Sequence, residues 1–171
     1  MRRPWTTTLA AVRQIIPDFR RDELHLNVGH ASGHYFDNQA TRVDARHGEI
    51  LRAIADHRAQ TGGRLHPVKF LEDRYQALVA NYYDTGKSPL PCTALSSSCF
   101  IDAYWNLFAC SIWSEQVGNL RANGFDLSDL WHGSRRRELR DAVVEQRCAH
   151  CWTPCEAYPT IPGNLARAAM A

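Results

Sequence analysis

The chain has 171 residues, 44% of them hydrophobic, with 20 basic against 18 acidic side chains. That is enough apolar material for one core and a smaller annex, which excludes a disordered chain. A net charge of +2 excludes a surface built to coat nucleic acid or anionic lipid. The opening MRRPWTTTLAAVRQIIPDF has an arginine pair but no apolar run of roughly 7–15 residues before a small-residue cleavage site. No later stretch approaches about 18 uninterrupted apolar residues. These features predict a soluble, cytoplasmic chain with neither a nucleic-acid nor a membrane partner.

In chain order, Thr8 to Phe19 places Leu9, Val12, Ile15 and Ile16 on one helical face, ended by Pro17. Leu24, Leu26 and Val28 then alternate with His25 and Asn27, predicting a strand that runs into the turn GHASGHY. His47 to Gln60 is helical in period and TGG stops it. Phe70 to Tyr83 repeats the helical spacing up to the loop DTGKSPLP. One strand among three helices reads as part of an α/β layer. His30, Ser32, His34 and Tyr35 follow the strand's carboxyl end, where α/β folds bind ligands, and are weak candidates for substrate or cofactor contact. As polar loop residues they need no metal to explain them.

The chain divides near Pro91, because all six cysteines fall between Cys92 and Cys155. Cytoplasmic thiols are kept reduced, so their close spacing favours metal ligands over disulfides. SCFIDAYWNLFACSI holds two short β-branched and aromatic runs around DAYW, which predicts a hairpin. A short helix is expected from Asp126 to Trp131. A second, capped by Ser134 and running through Arg147, delivers the chain to Cys148. Arg135, Arg136, Arg137 and Arg140 alternate with Glu138, Asp141 and Glu145 and read as a solvated mixed-charge face. Glu156 and Tyr158 are expected to cap and pack the final loop rather than to line a pocket, and the tail after Pro162 to fray.

Cys92 and Cys110 flank the hairpin, and Cys148 and Cys151 form a Cys-x2-Cys pair. Together they could close one tetrahedral thiolate site, for zinc or for an iron–sulfur cluster. Cys99 and Cys155 stand in reserve. Trp105, Phe108, Trp113 and Trp152 would shield such a site from water or simply serve as core.

The stretch CTALSSSCFIDAYWNLFACSIW, followed by VGNLR, DLW, a helix and CAHCWTPCEAY, resembles the C-terminal auxiliary-cluster region of radical S-adenosylmethionine enzymes, the SPASM and twitch group. The resemblance covers residues 92–158. More loosely, residues 8–83 look like the last strand and helices of that family's partial (β/α) barrel. It implies an α/β to α+β chain: a truncated barrel end over 1–90, a small cysteine-rich domain of hairpin plus helices over 91–160, and a tail over 161–171. It also implies one auxiliary [4Fe–4S] cluster on Cys92, Cys110, Cys148 and Cys151, with Cys155 or Cys99 as substitutes, serving electron relay or substrate positioning.

Two departures stand out. Trp105 occupies the turn position where the family has glycine, so Asn106 is expected to absorb the left-handed conformation. No Cys-x3-Cys-x2-Cys motif is present, so these residues are not expected to cleave S-adenosylmethionine alone. That cofactor would bind only in a complete barrel, supplied by a missing catalytic half or a split subunit. The alternative is a non-enzymatic zinc module that binds a protein partner.

Overall fold

The computed structural model describes residues 14–16, 25, 27, 29–30, 32–34, 47–60 and 67–165. Most of the first expected helix, Leu24, Leu26 and Val28 of the expected strand, Tyr35 and the tail beyond 165 lie outside the described residues. Ile15 and Ile16, expected on a buried face, are 81% and 52% exposed.

Among the described residues, α1 (His47–Gln60), α2 (Pro67–Ala77) and α3 (Val79–Thr85) precede the cysteines, and Gln14 and Ile15 are also helical. The run expected as one helix from Phe70 to Tyr83 is broken at Leu78 (φ −90°, ψ −3°), and α3 ends on Gly86 (φ 65°), whose N–H is donated to the Tyr82 carbonyl. Among the described residues this half contributes helices and no sheet, so the expected barrel end has no strand there.

The sheet lies in the second half. Strands β1 (Phe100–Ile101), β2 (Asn106–Phe108) and β3 (Gln116–Asn119) form an antiparallel sheet in chain order. Phe100 pairs with Phe108 and Asn106 with Asn119. The predicted hairpin is present, but Asn106 does not take the left-handed position. Trp105 does (φ 67°), against the usual preference for glycine. The Asp102 carboxylate compensates by accepting from Tyr104 N–H (2.8 Å), Asn106 N–H (2.9 Å) and Asn106 Nδ2 (2.9 Å). The Trp105 ring also packs edge-on against Phe125, 5.1 Å between centroids.

Strand β3 was hidden in the sequence by its turn-like residues. Leu130 packs over Gly118, where a Cβ would lie 2.6 Å from Leu130 Cδ2 and force that side chain to shift. Asn119 Nδ2 donates to the Tyr104 carbonyl (3.0 Å) and to Asn106 Oδ1 (2.7 Å), closing the hairpin tip onto β3.

Helix α4 (Leu127–His132) is capped by Asp126, whose side chain accepts from Asp129 N–H at 3.1 Å. Helix α5 (Ser134–Val144) starts after Gly133, so Ser134 is its first residue and not its cap. It stops three residues short of Arg147. Gln146 takes φ 56°, and the N–H groups of Gln146 and Arg147 are donated to the carbonyls of Val143 and Ala142. This is a Schellman ending with glutamine in the glycine position. The resulting reversal carries the chain to Cys148. The last helix, α6 (Pro154–Gly163), runs past the expected start of a frayed tail and fully buries Ile161.

Two cores result. One joins Ile54, Tyr75, Leu78, Val79 and Leu90 to Trp152, Ala157 and Ile161. The other joins Leu95, Leu107, Ala109 and Val117 to Leu139 and Val143 of α5. The expected division near Pro91 is therefore crossed by α6, which returns to pack on α2. No helix among the described residues is long and apolar enough to cross a membrane. Trp152 is 1% exposed and its Nε1–H is donated to the Tyr75 carbonyl at 2.9 Å. Trp152→Ala should therefore cost about 3–5 kcal/mol of stability in urea unfolding.

Candidate functional site: a thiol-lined cavity

All six cysteines are free thiols. Four of them, Cys92, Cys110, Cys148 and Cys151, line one small cavity together with Glu156 and Trp113. Ala94, Ala109 and Val143 supply apolar wall. The cavity lies between the two cores, and the thiols arrive from three separate segments: the loop before β1, the turn after β2 and the loop after α5. Cys99 is half-buried against the sheet core and Cys155 is exposed on the first turn of α6. Neither lines the cavity, so the two reserve ligands stand apart from the other four.

The backbone is aimed at the sulfurs. Ala94 N–H is donated to Cys92 Sγ at 3.4 Å. Cys110 receives the N–H groups of Ile112 and Trp113, and Cys151 that of Thr153. In each case the donor is two residues after the cysteine, with a third-residue donor added at Cys110. Donation of this kind favours the thiolate, the form that binds metal.

Burial opposes it. Cys92 is pushed up to about 11, first by burial, and Cys99 is raised by burial and then by Glu156. Cys110 and Cys151 share a hydrogen bond, which brings Cys110 down to about 7 and drives Cys151 upward. One thiol of the pair is thus poised to ionise while the other keeps its proton. Only a positive charge in the cavity would let all four ionise together, which couples metal binding to proton release.

Strain gathers at the same loops. Among the described residues, Leu95 (φ 59°), Gln146 (φ 56°) and His150 (φ 48°) are left-handed without being glycine, each within three positions of a cavity cysteine. Such residues cost about 1–2 kcal/mol apiece and persist where the surroundings hold them. Here Arg140 is one such hold. Its Nη1 donates to the carbonyls of Cys92 (2.6 Å) and Ala94 (2.8 Å), while Arg136 reaches the Leu95 carbonyl (3.3 Å). The expected solvated face is therefore divided. Arg135 does pair with Glu115 and with Glu138 (2.8 Å), but Arg136 and Arg140 turn inward to fix the Cys92 loop. Inward guanidiniums on backbone carbonyls carry no sequence period, which is why charge patterning missed them.

The four residues proposed after the early strand are placed differently. Tyr35 lies outside the described residues. None of His30, Ser32 and His34 lines the cavity. Ser32 Oγ donates to the Ile112 carbonyl (3.2 Å), and the His34 ring packs on Phe108. His30 Nε2 accepts the Trp152 N–H (3.4 Å), so its proton sits on Nδ1 and is given to Tyr82 Oη (3.0 Å). These residues brace the cysteine loops from behind. Trp113 lines the cavity as expected, whereas Trp152 is core, Phe108 backs the sheet and Trp105 stands at the hairpin tip.

A zinc ion would draw its thiolates to about 2.3 Å. Among the described residues no three Cys, His, Asp or Glu side chains are gathered to hold a single ion. Four thiols on one cavity are a donor set that an iron–sulfur cluster with one thiolate per iron can use.

Fold and site together define a small cysteine-rich domain built around a four-thiol cavity. Residues 92–152 match the SPASM family, an iron–sulfur cluster-binding domain. That segment is thus similar to a domain family that binds iron–sulfur clusters. No curated protein and no solved structure matches the chain.

Two outcomes follow for the supports. Arg140→Met should lower stability by about 1–3 kcal/mol and speed modification of Cys92 by a thiol reagent. Burial lowers the His30 pKa from 6.5, so the unfolded chain takes up that proton first as pH falls. Stability should decline as pH drops from about 7 to about 5.5, and His30→Gln should lose less over that window in urea titrations.

Proposed function

We propose that this chain binds one [4Fe–4S] cluster through Cys92, Cys110, Cys148 and Cys151, as the auxiliary-cluster part of a radical S-adenosylmethionine enzyme. The observation that carries the reading is the convergence of these four thiols on one cavity, within the segment that matches the SPASM domain. Three of the sulfurs also accept backbone N–H groups, the arrangement that stabilises thiolate ligands.

When bound, such a cluster takes up and releases single electrons. The chain's own part is to present four ionisable sulfurs, to wall them with Trp113, Ala109 and Val143, and to fix their loops through Arg140 and Trp152. The cavity's apolar wall limits water and so acts on reduction potential. In this reading the cluster relays electrons or positions substrate beside a catalytic barrel. The 171 residues hold no Cys-x3-Cys-x2-Cys motif, so S-adenosylmethionine cleavage belongs to a partner or to a further segment of chain.

The test is metal and sulfide content with a visible spectrum, on protein reconstituted without oxygen. About four irons and four sulfides per chain with a broad brown absorption support the reading. One tightly held zinc and a colourless protein overturn it. Alanine at Cys110, Cys148 or Cys151 should abolish most bound iron, while Cys155→Ala and Cys99→Ala should retain it. Equal loss in Cys99→Ala would displace the assignment of ligands.

A further inference from the structure

Thr153-Pro-Cys-Glu156 has the residues of a capping box, in which the N-cap threonine and the glutamate three positions on satisfy each other's backbone N–H groups. Thr153 is indeed the N-cap of α6, with extended backbone (φ −85°, ψ 151°), yet it makes no side-chain cap bond. Its Oγ1 and Glu156 Oε2 are both buried without a hydrogen-bond partner. The carboxyl has forgone its local partner and lines the cavity with the four cysteines instead.

Glu156 is only 7% exposed. No arginine or lysine shares the cavity wall with it; Ser88, His150 and the thiols of Cys92, Cys110, Cys148 and Cys151 do. A buried carboxyl oxygen left without a partner is unfavourable even with Ser98 close to the group, and an ionised carboxylate beside thiolates would add like-charge repulsion. Both costs vanish if the group carries its proton and has a sulfur acceptor to give it to.

We infer that Glu156 donates a hydrogen bond from its carboxyl to a sulfur of the cluster in this cavity and thereby holds the cluster's reduction potential up. The inference rests on the cluster reading above. A donor facing cluster sulfur stabilises the more negative, reduced state, which is the means by which hydrogen bonds raise such potentials. Glu156 acts here as a positioning and tuning residue and not as an iron ligand. Glu156 thus joins Ser88 and His150 as a polar member of the wall, contributed by α6 just beyond the segment that matches the SPASM domain.

The test compares wild type, Glu156→Gln and Glu156→Met as full-length reconstituted protein. Glutamine keeps a donor at the same reach, and methionine fills the space without one. Iron and sulfide are counted first, and the midpoint potential is then read by dye-mediated titration of the loaded fraction. The expected result is a wild-type iron count in all three, a more negative midpoint in Glu156→Met, and a midpoint in Glu156→Gln that returns most of the way. An unchanged midpoint in Glu156→Met overturns the inference. So does a Glu156→Gln shift as large as that of methionine, which would mark the carboxylate as an oxygen ligand to iron. Wild type without iron and sulfide overturns the cluster reading itself, and is told apart from the other two outcomes at the first step.

Discussion

The guanidinium of Arg140 spans the gap between helix α5 and the loop that carries Cys92, donating to two carbonyls at once. Cys92 sits on an irregular segment with a left-handed leucine three residues on, and the tie works with the bonds from Thr93 N–H to Thr160 Oγ1 and from Asn164 Nδ2 to the Pro91 carbonyl to place its sulfur. The other cavity thiols depend on comparable ties. Cys110 leaves a β-strand whose partner is fixed by Asn119, and Cys151 precedes a tryptophan locked by the Tyr75 carbonyl and by His30. A thiol-lined cavity is electrostatically unwelcome before metal arrives, since four sulfurs compete for charge in a poorly hydrated space. Hydrogen bonds from guanidinium, indole and backbone hold it open. The structure thus spends its polar side chains on loop carbonyls, where helix and sheet cannot supply donors.

Much of this was legible in the residues. A pair flanking a hairpin and a Cys-x2-Cys pair pointed to a shared thiolate site, and Cys92, Cys110, Cys148 and Cys151 line one cavity. Helix α1 and the hairpin were readable from period and composition. What was not readable has physical causes. Strand β3 is short and built of Gly118 and Asn119, residues that normally mark turns, and it is a strand because Leu130 covers the glycine. Helix α5 carries no glycine or proline at its end, so the Gln146 reversal has no local signal. Trp105 in a left-handed turn violates a preference that holds for most residues, and only the Asp102 network and the Phe125 ring make it tolerable.

Glu156 illustrates the same divide from the other side. Its local signature pointed to a helix cap, and local propensity is the right first guess where nothing else competes. At the edge of a thiol cavity something else does compete. Four departures from local rule, Leu95, Gln146, His150 and the unmade cap at Thr153, stand at loops around this space, while Trp105 and Phe125 depart at the hairpin tip and its neighbour.

The position of that space between two cores has a mechanical consequence. The segment bearing Cys148 and Cys151 is gripped at one end by α5, rooted in the sheet core, and at the other by α6, rooted among α1, α2 and α3. Any pivot of one half against the other must alter how these two sulfurs stand relative to Cys110. A guest bridging all four sulfurs would act as a lock on that pivot, and by thermodynamic reciprocity a force that fixes the pivot would strengthen the hold on the guest. The cavity is in this sense a joint as well as a container, through which whatever docks on the helical half and whatever fills the sulfur cage would feel each other.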